Sequence, residues 1–447
     1  MSAPIVLHSP QQAAQWLRAR VTGALHTDSR SLSAGDGFIA WPGAATDGRQ
    51  YIGNAIAQGA KACIAEEMGA SSYQLNNDCI ALYPQLKADT GLIAAEYYAH
   101  PSQSLDVIAI TGTNGKTSSA WWLAQALSAA GRRCAMVGTL GVGEPPQVTP
   151  TGLTTPDPVL LQQQLRAWVD GGVKACVMEA SSIGIVERRL DGTAIKLAAF
   201  TNFTQDHLDY HDSMQSYWHA KAELFDWPGL QAAVINVDDE QGAQLHASLN
   251  GRGLDMWSVA IEKPARLQAY DLRYTDAGQR FDLVEGQEIQ TLHTQSIGRY
   301  NVSNLLGVVG CLRALGIPLA QAVQSCEHLL QVPGRMECQG GADAPLVVVD
   351  YAHTPDALDK ALEALKPVAQ SRGGALWCVF GCGGDRDVRK RPMMAAIAER
   401  HAEHVVVTSD NPRSEAPQAI IDDILKGFAY AKAAAVQPDR AAAIRDS

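Results

Sequence analysis

A glycine-rich segment followed by a lysine and a threonine, ITGTNGKTSS, has the composition of a phosphate-binding loop. Gly112 and Gly115 allow tight backbone curvature, and the amide groups at the start of the following helix point towards an anion. Lys116 supplies a positive charge, and the hydroxyl group of Thr117 can bind Mg²⁺. Ile110 stands where the common form of this motif has its first glycine. A strand-to-helix turn without a nucleotide is the alternative, but the adjacent lysine and threonine favour nucleotide binding.

Acidic and imidazole side chains follow two further apolar runs. Glu179 ends the run in VMEASS, where a buried carboxylate would need a cation or hydrogen-bond donors. The segment TNFTQDHLDYH crowds several polar groups together, namely Asn202, Asp206, His207, Asp209 and His211. Such residues also cap helices, which is the plain alternative. Beside a phosphate loop they favour a site for a metal ion and a substrate.

Two basic residues have a chemistry that depends on their surroundings. Lys221 lies among aromatic and apolar residues in YWHAKAELF, which predicts a helix. Such a lysine usually extends its ammonium group to solvent. Arg413 follows the apolar run in HVVVTSDNPR, where a strand is predicted to end in a turn. Taken alone, Arg413 is a solvated arginine in a turn.

These side chains need a common scaffold, and the pattern of apolar runs predicts one. GVKACVMEASS, KLAAFTNFTQDH and LQAAVINVDD each place an apolar run before a polar loop. Buried runs followed by functional loops are typical of a parallel sheet with ligands at the carboxyl ends of its strands. The alternation in LQAYDLRYTDAGQRFDLVEGQEIQTLHTQSIG predicts antiparallel strands at the edge of this domain.

Two smaller α/β units are predicted on either side. The N-terminal segment alternates short apolar runs with turn clusters. Two predicted helices, YNVSNLLGVVGCLRALG and LAQAVQSCEHLL, precede Pro333 and Gly334, where we expect a hinge into a last α/β unit. At 447 residues the chain exceeds what one core usually serves, so two or three domains are expected.

Composition limits the partners and the compartment. The net charge of −11 argues against a nucleic-acid or anionic-membrane surface, because phosphate binding normally leaves a basic footprint. The sequence has no apolar run of bilayer-spanning length and no export signal. The nine cysteines lack C-x-x-C spacing, which suits reduced thiols in the cytoplasm. We therefore expect a cytoplasmic protein that neither binds nucleic acid nor inserts into a membrane.

In combination the motifs resemble those of the Mur ligase family, ATP-dependent amino-acid ligases that build the peptidoglycan stem peptide. The matches run in family order through most of the chain: TDSR, TGTNGKTSS, MEASS, TNFTQDHLDYH, YWHAKAELF, GRYNVSNLLG, PGRME, DYAHTPDAL, GCGGDRD and SDNPR. The resemblance implies a three-domain α/β fold. A central parallel-sheet P-loop ATPase domain (residues 88–334) would lie between an N-terminal α/β UDP-binding domain (1–87) and a C-terminal Rossmann-like domain (335–447).

The resemblance also implies which residues surround ATP and its metal ion. The ATP-binding positions are Gly112, Thr113, Asn114, Gly115, Lys116, Thr117, Ser118, Asn301, Arg335, Asp350 and His353. Catalytic positions are Lys116, Glu179, His207 and Lys221, and Thr117, Glu179, His207 and Lys221 serve the Mg²⁺ ions. Lys221 matches a lysine that CO₂ converts to a carbamate. Carbamylation makes an anion from a group with an ordinary pKa of about 10.4, which explains a lysine where an ammonium would repel Mg²⁺.

The implied reaction joins meso-2,6-diaminopimelate to UDP-N-acetylmuramoyl-L-alanyl-D-glutamate through an acyl phosphate, with release of ADP and phosphate. The positions that match contacts to the UDP substrate are Ser29, Thr154, Thr155, Ser181, Glu187 and Arg189. Those that match contacts to the amino acid are Arg386, Asp410, Asn411, Pro412 and Arg413. Arg413 would receive the far carboxylate of meso-diaminopimelate, which suits the planar guanidinium group. We expect the protein to be a monomer.

Some positions depart from the family pattern. Ile183 stands where the family often has His, and Glu187 where it often has Gln, which places an acid near an anionic substrate. The family pattern continues beyond DRAAAIRDS to a Gly-Lys-Gly-His-Glu loop, so we expect an incomplete C-terminal domain. The alternatives are a lysine-adding enzyme of the same family, a folylpolyglutamate synthase, which would lack TDSR, and a non-catalytic ATP-binding paralogue.

Overall fold

The computed structural model describes residues 4–43, 46–275, 278–340, 344–430 and 434–447. Within these ranges the chain forms three α/β units in sequence, each with its own sheet. No helix in the described part of the chain is both long enough and apolar enough to cross a bilayer. All nine cysteines are free thiols, and Cys378 and Cys382 are small residues buried in the core of the last unit.

The N-terminal unit is a five-stranded parallel sheet in the order β1-β5-β4-β3-β2. Its strands are β1 (Ile5–Val6), β2 (Leu25–His26), β3 (Gly37–Ala40), β4 (Ala62–Glu66) and β5 (Ile80–Tyr83). Its helices are α1 (Pro10–Arg18), α2 (Ile52–Ala57) and α3 (Leu86–Tyr97). Apolar side chains of α1 and α3 pack together against this sheet.

The central unit is an eleven-stranded sheet in the order β16-β15-β14-β13-β12-β11-β6-β10-β7-β8-β9. Its parallel strands are β6 (Asp106–Thr111), β7 (Cys134–Gly138), β10 (Ala175–Glu179), β11 (Leu197–Phe200), β12 (Ala232–Asn236), β13 (Asp255–Ala260) and β14 (Leu267–Thr275). Antiparallel strands extend both edges: β8 (Gly141–Glu144), β9 (Gln147–Thr149), β15 (Gly278–Glu285) and β16 (Glu288–Thr294).

Helices cover both faces of this sheet and create two apolar cores. The helices are α4 (Lys116–Ala129), α5 (Pro158–Asp170), α6 (Ser182–Val186), α7 (Met214–Ala222), α8 (Glu240–Leu249), α9 (Arg299–Ala314) and α10 (Leu319–Cys326). In β6, Ile108 and Ile110 face the core beneath α4 and α9, whereas Val107 and Ala109 face the core on the other side. Strands buried on both faces explain why the sequence reads as continuous apolar runs.

The C-terminal unit contains an antiparallel pair, β17 (Glu337–Gln339) and β18 (Val347–Val349), and a parallel sheet. The parallel strands are β19 (Trp377–Phe380), β20 (His404–Val407) and β21 (Ala435–Val436). The helices are α11 (Pro355–Ser371), α12 (Lys390–His401), α13 (Pro417–Leu425) and α14 (Arg440–Arg445).

The predicted fold class is confirmed: a central, mostly parallel sheet lies between two smaller α/β units. The antiparallel strands predicted from the alternating segment are β14, β15 and β16. The predicted boundary between residues 87 and 88 lies inside α3, whose residues pack in the N-terminal core. The exact domain boundaries therefore remain a prediction.

Candidate functional site

The phosphate loop lies at the carboxyl end of β6 and leads directly into α4. Gly112 has a φ of +145°, and a Cβ atom on it would lie 1.9 Å from the Thr201 hydroxyl oxygen. Gly115 has a φ of +85°, and its Cβ would lie 2.3 Å from Oδ1 of Asn304. Both positions therefore require glycine. No side chain caps α4 at Gly115, so the first amide groups of this helix can receive an anion.

Other residues of the loop are held by neighbouring segments. The Asn114 amide nitrogen donates to Oδ1 of Asn202 at 2.9 Å, and its side-chain nitrogen donates to Asp356 of the C-terminal unit at 3.1 Å. The Thr113 hydroxyl group lies 3.1 Å from the Tyr217 hydroxyl group. Ser118 is buried in the first turn of α4. The loop is thus fixed before any ligand binds.

Two lysines converge on one carbonyl group of this loop. Nζ of Lys116 donates to the Gly112 oxygen at 2.8 Å, and Nζ of Lys221 donates to the same oxygen at 2.7 Å. Lys221 is only 1% exposed, so the plain interpretation of an ammonium group in solvent is wrong. Burial, reinforced by the charge of Lys116, holds the pKa of Lys221 well below its ordinary value. This environment favours the neutral amine.

Glu179 ends β10 and is fully buried beside the loop. Its carboxylate accepts hydrogen bonds from the Thr117 hydroxyl group at 3.0 Å and from the amide nitrogen of Thr139 at 2.8 Å. The hydroxyl group of Thr139 lies 3.2 Å away. The expectation that this buried carboxylate needs donors is met. Its adjacency to Thr117 provides two oxygen donors of the kind that Mg²⁺ prefers.

His207 lies in the loop after β11 and has a φ of +52°, which a non-glycine residue adopts rarely. Burial lowers its pKa to about 4, so its imidazole is neutral near pH 7 and able to ligate a metal. In the described part of the chain, no three His, Cys, Asp or Glu side chains form a ready metal cluster. Glu179, Thr117 and His207 fit an ion that keeps part of its water shell, as Mg²⁺ does.

Asp206, beside His207, anchors the C-terminal unit. It is 5% exposed and accepts a hydrogen bond from Lys390 at 2.6 Å, while Nε2 of His353 lies 3.8 Å from it. Burial opposes its ionisation, but His353, His207 and Lys390 together hold its pKa well below the usual range. The predicted ATP-binding residue His353 is therefore brought close to the predicted metal site.

Three residues predicted to bind the UDP substrate meet near the ends of α6. The Thr155 hydroxyl group donates to the Glu179 carbonyl oxygen at 2.8 Å and lies 3.0 Å from Oγ of Ser181. Arg189 donates to the Thr155 carbonyl oxygen at 3.0 Å. Thr154 lies close by, with its Oγ1 at 3.0 Å from that of Thr139.

The other two residues of that predicted set make separate contacts. Ser29 belongs to a short 3₁₀ helix, Ser29–Ser31, in the N-terminal unit. Glu187 has protein partners on two sides, with Nζ of Lys87 at 2.7 Å and the Tyr210 hydroxyl group at 2.6 Å. These partners explain how an acid is accommodated at a position where the family often has Gln.

The predicted nucleotide residues outside the loop lie on two sides of it. Asn301 is buried on α9 and accepts a hydrogen bond from the side chain of Asn304 at 3.3 Å. Asn304 is also the residue that lies against Gly115. The guanidinium group of Arg335 stacks over the ring of Tyr351 at 4.4 Å and lies 3.4 Å from the Thr117 hydroxyl group.

Asp350 holds the segment that follows the predicted hinge. Its carboxylate accepts hydrogen bonds from the amide nitrogens of Met336 and Ala352, both at 2.8 Å. Gly334, where the hinge was predicted, has a φ of +66°. Asp350 therefore fixes the segment that carries Arg335.

The predicted amino-acid residues form a turn at the carboxyl ends of β19 and β20. Arg413 is exposed, has a φ of +49°, and donates to the Gly384 carbonyl oxygen at 2.6 Å. The carbonyl oxygens of Asn411 and Pro412 pack against the same Gly384. Asp410 lies 3.7 Å from Arg440.

Arg386 reaches from this turn to the central unit. Its guanidinium group donates to Asp209 at 2.7 Å, so it contacts the loop that also holds His207. Lys390, the first residue of α12, was not predicted as a site residue, although it lies only four residues after Arg386. Thr139 was also missed, and its position directly after a buried strand was a usable signal.

Comparison with known proteins identifies the family. Three family models match the chain: "Mur ligase family, catalytic domain" at residues 23–87, "Mur ligase middle domain" at 110–312, and "Mur ligase, glutamate ligase domain" at 334–447. The UDP-N-acetylmuramoyl-L-alanyl-D-glutamate–2,6-diaminopimelate ligase of Acidovorax sp. (strain JS42) is 58% identical, with 99% of this chain and 90% of that protein covered. The ligase of the same name from Janthinobacterium sp. (strain Marseille) is 50% identical, with 96% and 87% covered.

Solved structures agree with this result. A ligase structure with the same name is 34% identical, has a TM-score of 0.66, and covers 95% of this chain and 86% of its own. MurF from Acinetobacter baumannii is 19% identical with a TM-score of 0.71, covering 99% and 92%, which supports the fold alone. The family models, the long and highly identical relatives and the common fold lead to one conclusion: the chain belongs to the Mur ligase family.

Proposed function

We propose that this protein is an ATP-dependent ligase that adds meso-2,6-diaminopimelate to UDP-N-acetylmuramoyl-L-alanyl-D-glutamate during peptidoglycan synthesis. The observation that carries the proposal is the convergence of Lys116, Thr117, Glu179, His207 and Lys221 at the carboxyl ends of neighbouring parallel strands. Relatives that bear the name of this ligase align over nearly the whole chain.

The first chemical step is transfer of the γ-phosphoryl group of ATP to the terminal carboxylate of the UDP substrate. The carboxylate oxygen attacks phosphorus, the bond to the β-phosphate oxygen breaks, and ADP leaves. Lys116 and the uncapped amide groups of α4 bind and orient the phosphates, which offsets the repulsion between two anions. Thr155, Ser181 and Arg189 orient the carboxylate of the UDP substrate from the other side.

In the second step the amino group of the incoming amino acid attacks the acyl phosphate carbonyl, and phosphate leaves as the amide forms. Thr117, Glu179 and His207 would hold Mg²⁺, which supplies charge neutralisation on the phosphoryl oxygens. Docking of the C-terminal unit through Lys390 on Asp206 excludes water, which would otherwise hydrolyse the acyl phosphate.

Lys221 is proposed to act as a carbamate. A neutral amine is the nucleophile that CO₂ requires, and burial together with Lys116 lowers the pKa of Lys221. The product is an anion beside Lys116, so the carbamate attracts the ammonium group of Lys116. Mass spectrometry under native conditions tests this step, because carbamylation adds the mass of CO₂. A Lys221→Ala variant that kept the full rate would contradict the role.

The turn around Arg413 is proposed to select the amino acid. Arg413 and Arg386 provide two guanidinium groups, and Asp410 and Asn411 lie beside them for the amino and carboxylate groups. L-Lysine lacks the second carboxylate of meso-diaminopimelate and would leave Arg413 unpaired, which disfavours it.

A phosphate-release assay tests the activity. The UDP dipeptide substrate and Mg·ATP are supplied with either meso-diaminopimelate or L-lysine. Release that depends on meso-diaminopimelate supports the proposal, whereas a preference for L-lysine would reassign the substrate. ATP binding without release with either amine would identify a non-catalytic paralogue.

We further propose a cytoplasmic monomer, and the nine free thiols are consistent with a reducing compartment. Light scattering coupled to size-exclusion chromatography measures the oligomeric state, and a mass near twice 47.8 kDa would contradict the monomer.

A further inference from the structure

Two predicted substrate contacts, Ser181 and Arg189, flank the short helix α6. The loop that holds His207 contacts both ends of this helix. Ser181 caps its N-terminus by accepting a hydrogen bond from the amide nitrogen of Gly184 at 3.0 Å. Arg189, just beyond its C-terminus, donates to Thr155. A five-residue helix has too few internal hydrogen bonds to hold its own position, so its neighbours must do so.

The loop that holds His207 supplies two of those neighbours. Nε2 of His211 lies 3.0 Å from Oγ of Ser182, the first residue of α6. The Tyr210 hydroxyl group donates to Glu187 at the other end of the helix, at 2.6 Å. The two ends differ in burial: His211 is 6% exposed and Ser182 is 1% exposed, whereas Tyr210 is 39% exposed. The His211–Ser182 contact is therefore the better shielded of the two.

His211 also contacts the machinery for the phosphates. Its ring packs against that of Tyr217 with centroids 5.1 Å apart, and Tyr217 is fully buried. The hydroxyl group of Tyr217 lies 3.1 Å from the Thr113 hydroxyl group, and Nζ of Lys221 lies 4.4 Å from the centre of its ring. The amide nitrogen of His211 donates to the carbonyl oxygen of His207 at 2.9 Å.

We propose that His211 is a positioning residue that sets the substrate helix α6 in register with the phosphate loop, His207 and Lys221. The proposal rests on the proposed ligase function, because it concerns the alignment of the substrate carboxylate with the γ-phosphate of ATP. His211 reaches α6 through Ser182 and the phosphate side through Tyr217, so one side chain spans both halves of the reaction. It does not contact the reacting atoms itself.

The expected effect of its loss follows from the geometry required for in-line transfer. A misplacement of about 1 Å between reacting groups lowers a rate by roughly 100-fold. In His211→Ala, α6 loses its buried polar contact and the packing on Tyr217. We expect kcat to fall between about 10-fold and 100-fold, with the KM for ATP within about threefold of wild type, because the loop that binds ATP keeps its own contacts.

The experiment compares variants that separate the hydrogen bond from the packing. His211→Gln keeps a polar group able to reach Ser182 and is expected to retain most of the rate, whereas His211→Phe keeps the ring and loses the hydrogen bond. Ser182→Ala removes the same contact from the other side, so its effect should not add to that of His211→Ala. His401→Ala is the matched control, since His401 is a partly buried histidine that contacts Asp359 at 2.7 Å in the C-terminal unit.

Steady-state phosphate release and thermal melting are measured for each variant. A fall in kcat for His211→Ala and Ser182→Ala, rescue by Gln and a full rate for His401→Ala support the positioning role. Full rates with a lower melting temperature would show a purely structural residue and overturn it. If His211→Ala does not fold, Ser182→Ala and His211→Phe decide by the same criteria. An inactive wild-type protein would overturn the ligase function as well, so the two failures are distinguishable.

Discussion

Replacing Gly138 with alanine offers a direct test of the role of Glu179. Gly138 ends β7, and its φ is not in the positive region, so alanine causes no backbone strain there. A Cβ atom on this residue would lie 2.3 Å from Oε1 of Glu179 and 3.0 Å from its Cδ. An ordinary contact needs about 3.4 Å, so the carboxylate must move by roughly 1 Å.

The displacement has a calculable effect. It stretches the hydrogen bonds from Thr139 and Thr117 to the carboxylate and moves a predicted Mg²⁺ ligand. A shift of about 1 Å corresponds to roughly a 100-fold loss of rate, or about 2.7 kcal/mol of transition-state stabilisation. We also expect the concentration of Mg²⁺ required for half-maximal rate to rise.

Phosphate release at a series of Mg²⁺ concentrations measures both effects. Gly53→Ala is the control, because no atom lies within 4 Å of a Cβ on this helical residue, and it should keep the full rate. A Gly138→Ala protein with wild-type rate and Mg²⁺ dependence would refute the reasoning. So would a loss of rate that is matched by unfolding in a thermal melt.

Three further predictions concern other parts of the molecule. Gly115→Ala should weaken ADP binding at least tenfold by calorimetry, because its Cβ would clash with Asn304 at 2.3 Å and its φ is +85°; unchanged affinity would contradict this. Burial raises the pKa of Asp191 to about 6 from 3.8, so the folded state binds more protons than the unfolded state in that window and stability is lost as pH rises through it. Asp191→Asn should therefore stabilise the protein at pH 8 by about 1 to 2 kcal/mol, once solvent screening of this half-buried group is included, and by about half as much at pH 5, as measured by urea denaturation; an equal gain at both pH values would argue against it. Asp209→Asn should free Arg386 and lower the KM for meso-diaminopimelate by roughly two- to fivefold, the worth of an exposed ion pair, and a raised KM would show that Asp209 assists binding instead.

Features that depend on local sequence could be predicted. The phosphate loop needs glycines at two left-handed positions between a strand and a helix, and Gly112 and Gly115 have those conformations. The parallel sheet follows from strands buried on both faces, and the antiparallel edge from period-two alternation. In each case the signal and the structure involve residues close together in the chain.

Features that depend on packing between distant segments could not be predicted. An isolated lysine on a helix normally faces solvent, but Lys221 is turned inwards to a carbonyl group 109 residues earlier in the chain. The contact between Lys390 and Asp206 joins residues 184 positions apart. No local periodicity encodes such distances, so only a resemblance to a family pointed to Lys221, and nothing pointed to Lys390.

The carbonyl oxygen of Gly112, which accepts from both lysines, belongs to the main chain and cannot be deleted by changing a side chain. Alanine substitutions of Lys116 and Lys221 would therefore report the loss of each lysine, but they would not reveal that the Gly112 peptide group brings the two lysines together. Any side chain at Gly112 would collide with the hydroxyl group of Thr201 and force the backbone that carries this oxygen to shift. Gly112 should accordingly behave in mutagenesis like a residue with a functional group, although it has none.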